Sequence, residues 1–600
     1  MIGVYLLRVG FVGQRIPGMD HTGIAHEMII MRREVAMEVQ IRIAGAAGQG
    51  LQTAADLLGR ALTRAGSFAY LYTDAESRIR GGLNFSHLRC SDQPLHGISQ
   101  QIDILVALTD AAVTEFSHLV STNGIILCNR ENTHPRTAPF TLASLLAEIG
   151  GDKALALLSA AIVCALLDIP RGLMESLVRD HFGSGAALES NLRALELGYR
   201  KAGELDHATR FRIAHAPAKA PRLWLAGHES VAFGAIAGGV RFVASYPMSP
   251  STGTLTDLAE WAREASLVVE QAEDEIAAIN MVAGASYAGA RAMTTTSGGG
   301  FCLMTEGVSL MGMIEVGGVI LIAQRPGPAT GLPTRTAQGD LHLALHAGHG
   351  AFAKAIFAPK NLQECYELTA RAFEVAERFG CPVFVLTDQL LQDSQATMDA
   401  FSTKEISQKR GLLSEAQLAD MSSYHRYELT DSGVSPQAAP GISKHVVVVD
   451  SDEHDVDGHL TEKPIIAEQM CQKRLRKIAS LKSSLDFEPI VEGQKSSPHL
   501  VISWGSTYET LREARNHLKK KNALFAHLHL SQVWPLPVER LKALFARYDR
   551  IILVENNAVP ELGSLLCECT QRAHDVFINR FDGRPFSVEE MVSRLTEVLP

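Results

Sequence analysis

The sequence predicts an α/β protein built from several domains. Three observations carry this. The chain has 600 residues, too many for one core at roughly 150 per domain. Strand-like alternation gives way to helical periodicity again and again, the pattern of sheets covered by helices. Apolar residues make up 46% and charged residues 20%, an ordinary globular composition that argues against extended disorder.

In chain order, residues 1–36 read as an irregular leader. The apolar stretch from Val4 to Val12 is broken by Arg8 and lacks an A-x-A cleavage site, and Met28, Met31 and Met37 point to a mis-assigned start rather than a signal peptide. A first α/β unit spans 38–205: residues 38–44 alternate like a strand, "GAAGQG" forms a glycine-rich turn, and Leu51 to Ala65 has helical periodicity. "DILVALT" and "GIILCN" add strands. Residues 206–221, ending in "HAPAKAP", read as a linker. A second α/β unit spans 222–401, from "LWLAGHESVAFG" to "CPVFVLTDQ". Residues 402–498 form a more polar, irregular connector. A compact α/β unit with three strand candidates closes the chain at 499–600.

Several function classes lack support. A net charge of −10 gives no reason to expect nucleic acid, and no apolar run approaches the ~20 residues of a membrane span. Nine cysteines are scattered without CxxC spacing, which suggests free thiols in a reducing cytoplasm and no iron–sulfur cluster held by this chain. There is no GxxxxGK[ST] loop, G-x-S-x-G elbow or HExxH, and the string GDG is absent. A thiamine diphosphate site normally needs a GDG-type loop for the metal and diphosphate.

The chemical candidates carry competing readings. "GAAGQG", with Gly48 and Gly50, could bind phosphate at a helix N-terminus or be a tight strand–helix turn; as a dinucleotide fingerprint it lacks the usual order and acid. "ESRIRGGLNFSHLR" gathers Arg78, Arg80, Gly81 and Gly82, which suits an anionic ligand or a solvated charged turn. "DSDEHDVDGH" clusters metal-ligand types without EF-hand spacing; a polar turn is the simpler reading, and no metal ligand is assigned. "VEQAEDEIAAINMVAGASYAGARAMTTTSGGG", Val269 to Gly300, is the most informative stretch. Glu275 enters a helix of small residues that can approach a backbone or flat ring closely, and a Ser/Thr/Gly loop then offers N–H and hydroxyl donors. A carboxylate in such a setting suits proton exchange; the alternative is a helix N-terminal acid favoured by the macrodipole.

Three motifs in order, "YPMSPST", "EDEIAAINMVAGASYAGARAMTTTSGGGF" and "RPGPATGLPTRTAQGDL", resemble the α subunit of 2-oxoacid:ferredoxin oxidoreductases, most closely the 2-oxoglutarate type with a γ domain fused at its N-terminus. "SSYHRYELTDSGVSP" and "SWGST…LHLSQVWPLP…VENN" extend the resemblance to residues 38–600. It implies a γ-like α/β domain, a thiamine diphosphate pyrimidine-type α/β domain and a transketolase-C-like α/β domain. The implied reaction is oxidative decarboxylation of a 2-oxoacid with coenzyme A, giving acyl-CoA, CO2 and electrons for ferredoxin. A separate β subunit, in a heterotetramer of two αβ units, would supply Mg2+, the diphosphate site and a [4Fe-4S] cluster. Pyruvate and branched-chain acids stay open as substrates, as do a non-catalytic scaffold and a nucleotide-dependent dehydrogenase built on "GAAGQG".

Residue by residue, the resemblance makes Glu275 the acid that hydrogen-bonds the pyrimidine N1′ and promotes its imino tautomer. Ser249, Thr334 and Arg335 fall at substrate-binding positions; a guanidinium fork suits a carboxylate. Tyr246, Pro247, Ser297 and Gly298 fall on cofactor-binding loops, and Gly48, Gly50, Arg80, Gly81 and Gly82 on segments that fold over coenzyme A. There are departures. Ser249 replaces the usual Thr, Met248 an Ile, and Ala47 a Gly. Ala337 stands where Glu or Gln is common, and Pro560-Glu561 where Gly-Gln is usual.

Overall fold

The structure, a computed structural model, describes residues 38–76, 81–129, 134–149, 154–205, 211, 213, 221–402, 406, 409–521 and 523–599. The leader expected at 1–36, Arg78, Arg80 and most of the linker expected at 206–221 lie outside the described residues. The chain divides into two compact units.

The first unit runs through Leu95, from Ser99 to Trp224, and over Gln395–Ala400. Its sheet contains β1 (Glu38–Ala47), β2 (Phe68–Asp74), β3 (Gly81–Ser91), β4 (Ile102–Ala107), β5 (Val120–Cys128), β6 (Arg222–Ala226) and β13 (Gln395–Asp399), in the order β5-β4-β1-β3-β2-β13-β6. β1 pairs parallel with β4 and antiparallel with β3. Helix α1 (Leu51–Ala65) starts and stops on left-handed glycines, Gly50 at φ 76° and Gly66 at φ 93°, a conformation glycine adopts without a Cβ penalty. The remaining helices are α2 (Asp110–Phe116), α3 (Leu142–Ile149), α4 (Leu155–Leu166), α5 (Arg171–Phe182) and α6 (Ala186–Ala202). α4 is apolar all round and packs against both α1 and α6, as a helix buried within the unit must be.

Residues 81–91 form a central strand, not a charged turn. Their polar side chains hid the alternation because they pair inside the sheet. Arg89 Nε donates to Glu38 Oε1 at 2.7 Å, and His87 lies between Arg42 Nε and Gln40 Oε1, 3.2 Å from each.

The second unit holds two sheets. One contains β7 (Phe242–Ser245), β8 (Val268–Gln271), β9 (Ala292–Thr296), β10 (Gly318–Gln324), β11 (Ala355–Phe357), β12 (Pro382–Asp388) and β17 (Gln532–Trp534), in the order β17-β11-β12-β10-β9-β7-β8. Only β17 runs antiparallel to its neighbour. β10 and β12, "GVILIAQ" and "PVFVLTD", are buried at every position, as central parallel strands covered on both faces must be. Its helices are α7 (Gly227–Ala237), α8 (Thr252–Glu260), α9 (Ala262–Ala265), α10 (Glu275–Tyr287), α11 (Gly298–Met313), α12 (Leu341–His346), α13 (Leu362–Phe379) and α14 (Gln389–Asp393).

The other sheet has the order β14-β16-β15-β18-β19, from Val491–Gly493, Ala526–Leu530, His499–Trp504, Arg550–Glu555 and Val576–Asn579. Helices α15 (Glu415–Ala419), α16 (Pro464–Ser484), α17 (Thr507–Lys519), α18 (Val538–Phe545), α19 (Glu561–Thr570) and α20 (Val588–Val598) complete the unit. One apolar core joins the two sheets, running from Ile320 and Phe384 to Leu500, Trp504 and Val533. The 402–498 stretch, expected to be irregular, contains α16. This helix buries Met470, Lys473, Lys477 and Leu481. Both lysine ammonium groups meet the buried Glu315 carboxylate, Lys473 Nζ at 2.7 Å from Oε1 and Lys477 Nζ on Oε2. Among the described residues, no helix is long and apolar enough to cross a membrane.

Candidate functional site

Strands β7, β8 and β9 create a crevice. The chain passes from β7 to β8 on one side of the sheet and then crosses to β9 on the other, and ligands of open α/β sheets bind beyond the carboxyl ends of strands at such a reversal. The β7–β9 ladder covers only Phe242–Ala292 and Val243–Met293. Beyond it Ser245 Oγ accepts the Thr295 N–H at 2.8 Å, so the strands part where the loops begin. Tyr246 to Ser249 follow β7, Glu275 follows β8, and Ser297 and Gly298 follow β9.

Glu275 opens α10. Asp274 is the N-cap, its carboxylate accepting the Ala277 N–H at 2.7 Å. Glu275 therefore need not cap the helix and turns inward, 4% exposed. Its Oε1 has no hydrogen-bond partner. A Cβ built on Gly300 would stand 2.4 Å from both that oxygen and Thr296 Oγ1, so glycine at 300 is what makes room for the carboxylate. Ile279 fits the same way against Gly307, where a Cβ would come within 2.5 Å of it. This is how the small residues bring α10 and α11 together.

Ser297 precedes α11 and is fully buried, and its Oγ has no partner. At Gly298 a Cβ would lie 2.2 Å from Asp340 Oδ1; Asp340 Oδ2 is also buried without a partner. Burial, with the Glu561 carboxylate nearby, pushes the Asp340 carboxyl up to about 7, against the opposing Arg325. Three unsatisfied buried oxygens thus surround the first turn of α11, which has no acid of its own. Such groups call for a ligand that supplies their partners. The donor set of two carboxyls, one hydroxyl and exposed backbone fits a flat, nitrogen-rich ring.

Two of these residues escaped the sequence reading. Asp340 and Arg325 lie within a quoted motif, but their roles depend on the fold. Arg325 Nη1 donates to Ser249 O at 2.6 Å, tying the loop after β7 to the 325–340 loop. Ser249 is exposed, and Thr334 and Arg335 are half-buried on that second loop. Tyr246 is 39% exposed and Pro247 half-buried. The faces of α10 and α11 beside the crevice leave Ile276, Met281 and Leu303 in solvent.

In the first unit, Ala47 pairs with Gly81 across β1 and β3. The "GAAGQG" turn and Gly81-Gly82 are therefore neighbours, with Gly48 exposed at φ 89° and Gly82 at φ 74°. Gln49 Oε1 accepts the Ala46 N–H at 2.7 Å, closing the turn on itself. The antiparallel β3 beside β1 is not the parallel, doubly wound arrangement of dinucleotide-binding folds, which disfavours the dehydrogenase reading. In "DSDEHDVDGH", ligand atoms of Asp455, Asp457 and His459 lie within 4.8 Å of one another. They are satisfied as a polar turn: Asp455 Oδ1 accepts the N–H groups of Asp457 and His459, and His425 Nδ1 is 2.6 Å from Asp457.

Comparison with known proteins agrees with this geometry. The family model for the thiamine diphosphate-binding domain of pyruvate flavodoxin/ferredoxin oxidoreductases matches residues 233–472, and a second pyruvate ferredoxin/flavodoxin oxidoreductase model matches 40–201. The chain is 30% identical over 621 aligned residues to a 2-oxoacid:ferredoxin oxidoreductase α subunit from a Sulfolobus species, covering 93% of this chain and 96% of that one. It is 31% identical to the 2-oxoglutarate synthase subunit KorA of Archaeoglobus fulgidus, over 57% of this chain and 90% of that one. Among solved structures, a 2-oxoglutarate:ferredoxin oxidoreductase from Magnetococcus marinus, with 2-oxoglutarate, coenzyme A and succinyl-CoA bound, matches at a TM-score of 0.85 and 28% identity, covering 94% of this chain and 99% of that one. The chain belongs to the 2-oxoacid:ferredoxin oxidoreductases, a family of enzymes, as an α subunit.

Proposed function

We propose that this α subunit carries out the CoA-dependent oxidative decarboxylation of 2-oxoglutarate to an acyl-CoA and CO2, with electrons passed to ferredoxin. The observation that carries the mechanism is the buried, unpartnered Glu275 Oε1 facing Gly300. Bound thiamine diphosphate supplies the carbanion chemistry. Glu275 holds and moves the proton at the pyrimidine N1′ in a pocket that excludes water. Ser297, Gly298, Tyr246 and Pro247 bracket the ring. Ser249, Thr334 and Arg335 take the 2-oxoacid, with the Arg335 guanidinium on its carboxylate. Gly48, Gly50, Arg80, Gly81 and Gly82 contact coenzyme A, which the pairing of Ala47 with Gly81 supports.

The site is completed by a β subunit that carries Mg2+ and a [4Fe-4S] cluster and covers Ile276, Met281 and Leu303. Apolar side chains so exposed beside a site are what a partner buries. The likeness to 2-oxoglutarate-utilising relatives supports that substrate, and the free thiols support a reducing cytoplasm. In the complex purified anaerobically, Glu275→Gln is expected to lower CoA-dependent dye reduction by ~10²-fold or more, with the partner still co-purifying. Undiminished activity would sink the mechanism, and a higher kcat/KM for pyruvate would replace the substrate.

A further inference from the structure

The third sheet has a reversal of its own. From β15 the chain goes to β16 on one side and returns to β18 on the other. The gap between the ends of β15 and β18 is therefore where an open α/β sheet would hold its ligand. This chain fills the gap with its own Gln338, which is 0% exposed. Gln338 Nε2 donates to Trp504 O at the end of β15, at 2.8 Å. Gln338 Oε1 accepts the N–H of Asn556, just past β18, at 2.7 Å. The Gln338 backbone N–H donates to Asn556 O at 2.8 Å, and its carbonyl accepts from Asn557 Nδ2 at 2.9 Å. Gly505 leaves the space: a Cβ there would come within 2.8 Å of Gln338 Nε2, and its φ is +56°.

A second attachment lies two residues upstream. The Thr336 N–H donates to Gly583 O at 3.1 Å, and a Cβ on Gly583 would stand 2.9 Å from Arg335 Cβ. The 325–340 loop contains no helix or strand; inside it the Arg335 N–H donates to Leu332 O and the Leu332 N–H to Pro326 O, each at 3.1 Å, turns that shape the loop but do not anchor it to the C-terminal sheet. A buried polar network with every member satisfied can do so.

We propose that the C-terminal sheet binds Gln338 as an internal ligand and thereby holds Arg335 in place, making Gln338 a positioning residue for 2-oxoacid affinity. The inference rests on the reading of Arg335 as the anchor of the substrate carboxylate. It gives the C-terminal domain a task that needs no ligand of its own.

The test is a double-mutant cycle in the assembled complex, with KM and kcat measured for 2-oxoglutarate and pyruvate. Gln338→Ala is expected to raise KM for the preferred acid ~10-fold while kcat stays within about threefold. In an Arg335→Ala background the same change should add less than about twofold, because the group it positions is gone. Asn557→Ala, which removes one of the bonds to Gln338 together with the Asn557 Oδ1 bond to the Ala558 N–H, should move KM in the same direction by less, and it carries the same cycle should Gln338→Ala fail to assemble. An unchanged KM in Gln338→Ala, or effects that multiply with those of Arg335→Ala, would overturn the clamp while leaving the substrate reading intact. Should Arg335→Ala itself leave KM unchanged for both acids, the substrate reading fails and the clamp's purpose falls with it.

Discussion

Asp340 shows how a side chain that looks ordinary in a motif becomes costly to ionise once folded. Its ordinary value of 3.8 applies to the unfolded chain, whereas burial and Glu561 push it to about 7 in the fold. Between these values the folded state holds a proton that the unfolded state has released, so stability falls as pH rises through that window. Asp340→Asn is therefore expected to melt higher than the parent at pH 8 and to coincide with it near pH 4, read by calorimetry. The opposite order would place Asp340 in a salt bridge. Glu275 was legible in the sequence because its surroundings are local: an N-cap beside it, small residues after it, and glycines 25 residues on. Asp340 and Gln338 were not. The groups they face belong to residues 298, 504 and 556, and no spacing rule links such positions.

At the scale of elements, α16 follows the same logic. Its buried positions 470, 473, 477 and 481 have the spacing of a helix face, but two of them are lysines, so the apolar stripe that would announce a packed helix is missing. The missing term is Glu315, whose carboxylate the two ammonium groups hold well below the ordinary range, at about 2, against the pull of burial. Removing that charge leaves two lysines buried without a counter-ion. Glu315→Gln is expected to cost ~3–5 kcal/mol by chemical denaturation, with faster hydrogen exchange across 464–484. A loss below about 1 kcal/mol would mean that water reaches the lysines. β3 was hidden in a similar way, by polar side chains that find partners inside the sheet. β10, β12 and α1, whose burial follows the simple periods, were legible.

For the whole molecule, the α/β class could be read from the sequence. The interweaving could not, because strand pairing across hundreds of residues leaves no local pattern. β17 completes the edge of a sheet whose other strands lie between 242 and 388, and one core runs through both sheets of the second unit. A fragment spanning 225–498, which has only part of that core, is therefore expected to lack a cooperative melting transition, and a sharp transition in that fragment would show the sheet of β7–β12 to be self-sufficient.

β13 has a consequence for synthesis. The outer edge of β2 is covered only when residues 395–399 arrive, nearly 200 residues after the last helix of that unit ends at Ala202. At ~5–20 residues per second a ribosome needs on the order of 10–40 s to make that stretch. Throughout that interval the nascent chain carries an unpaired strand edge, the kind of surface to which other chains add. The cell's hold on this protein is thus most needed midway through translation, long before any cofactor or partner can bind.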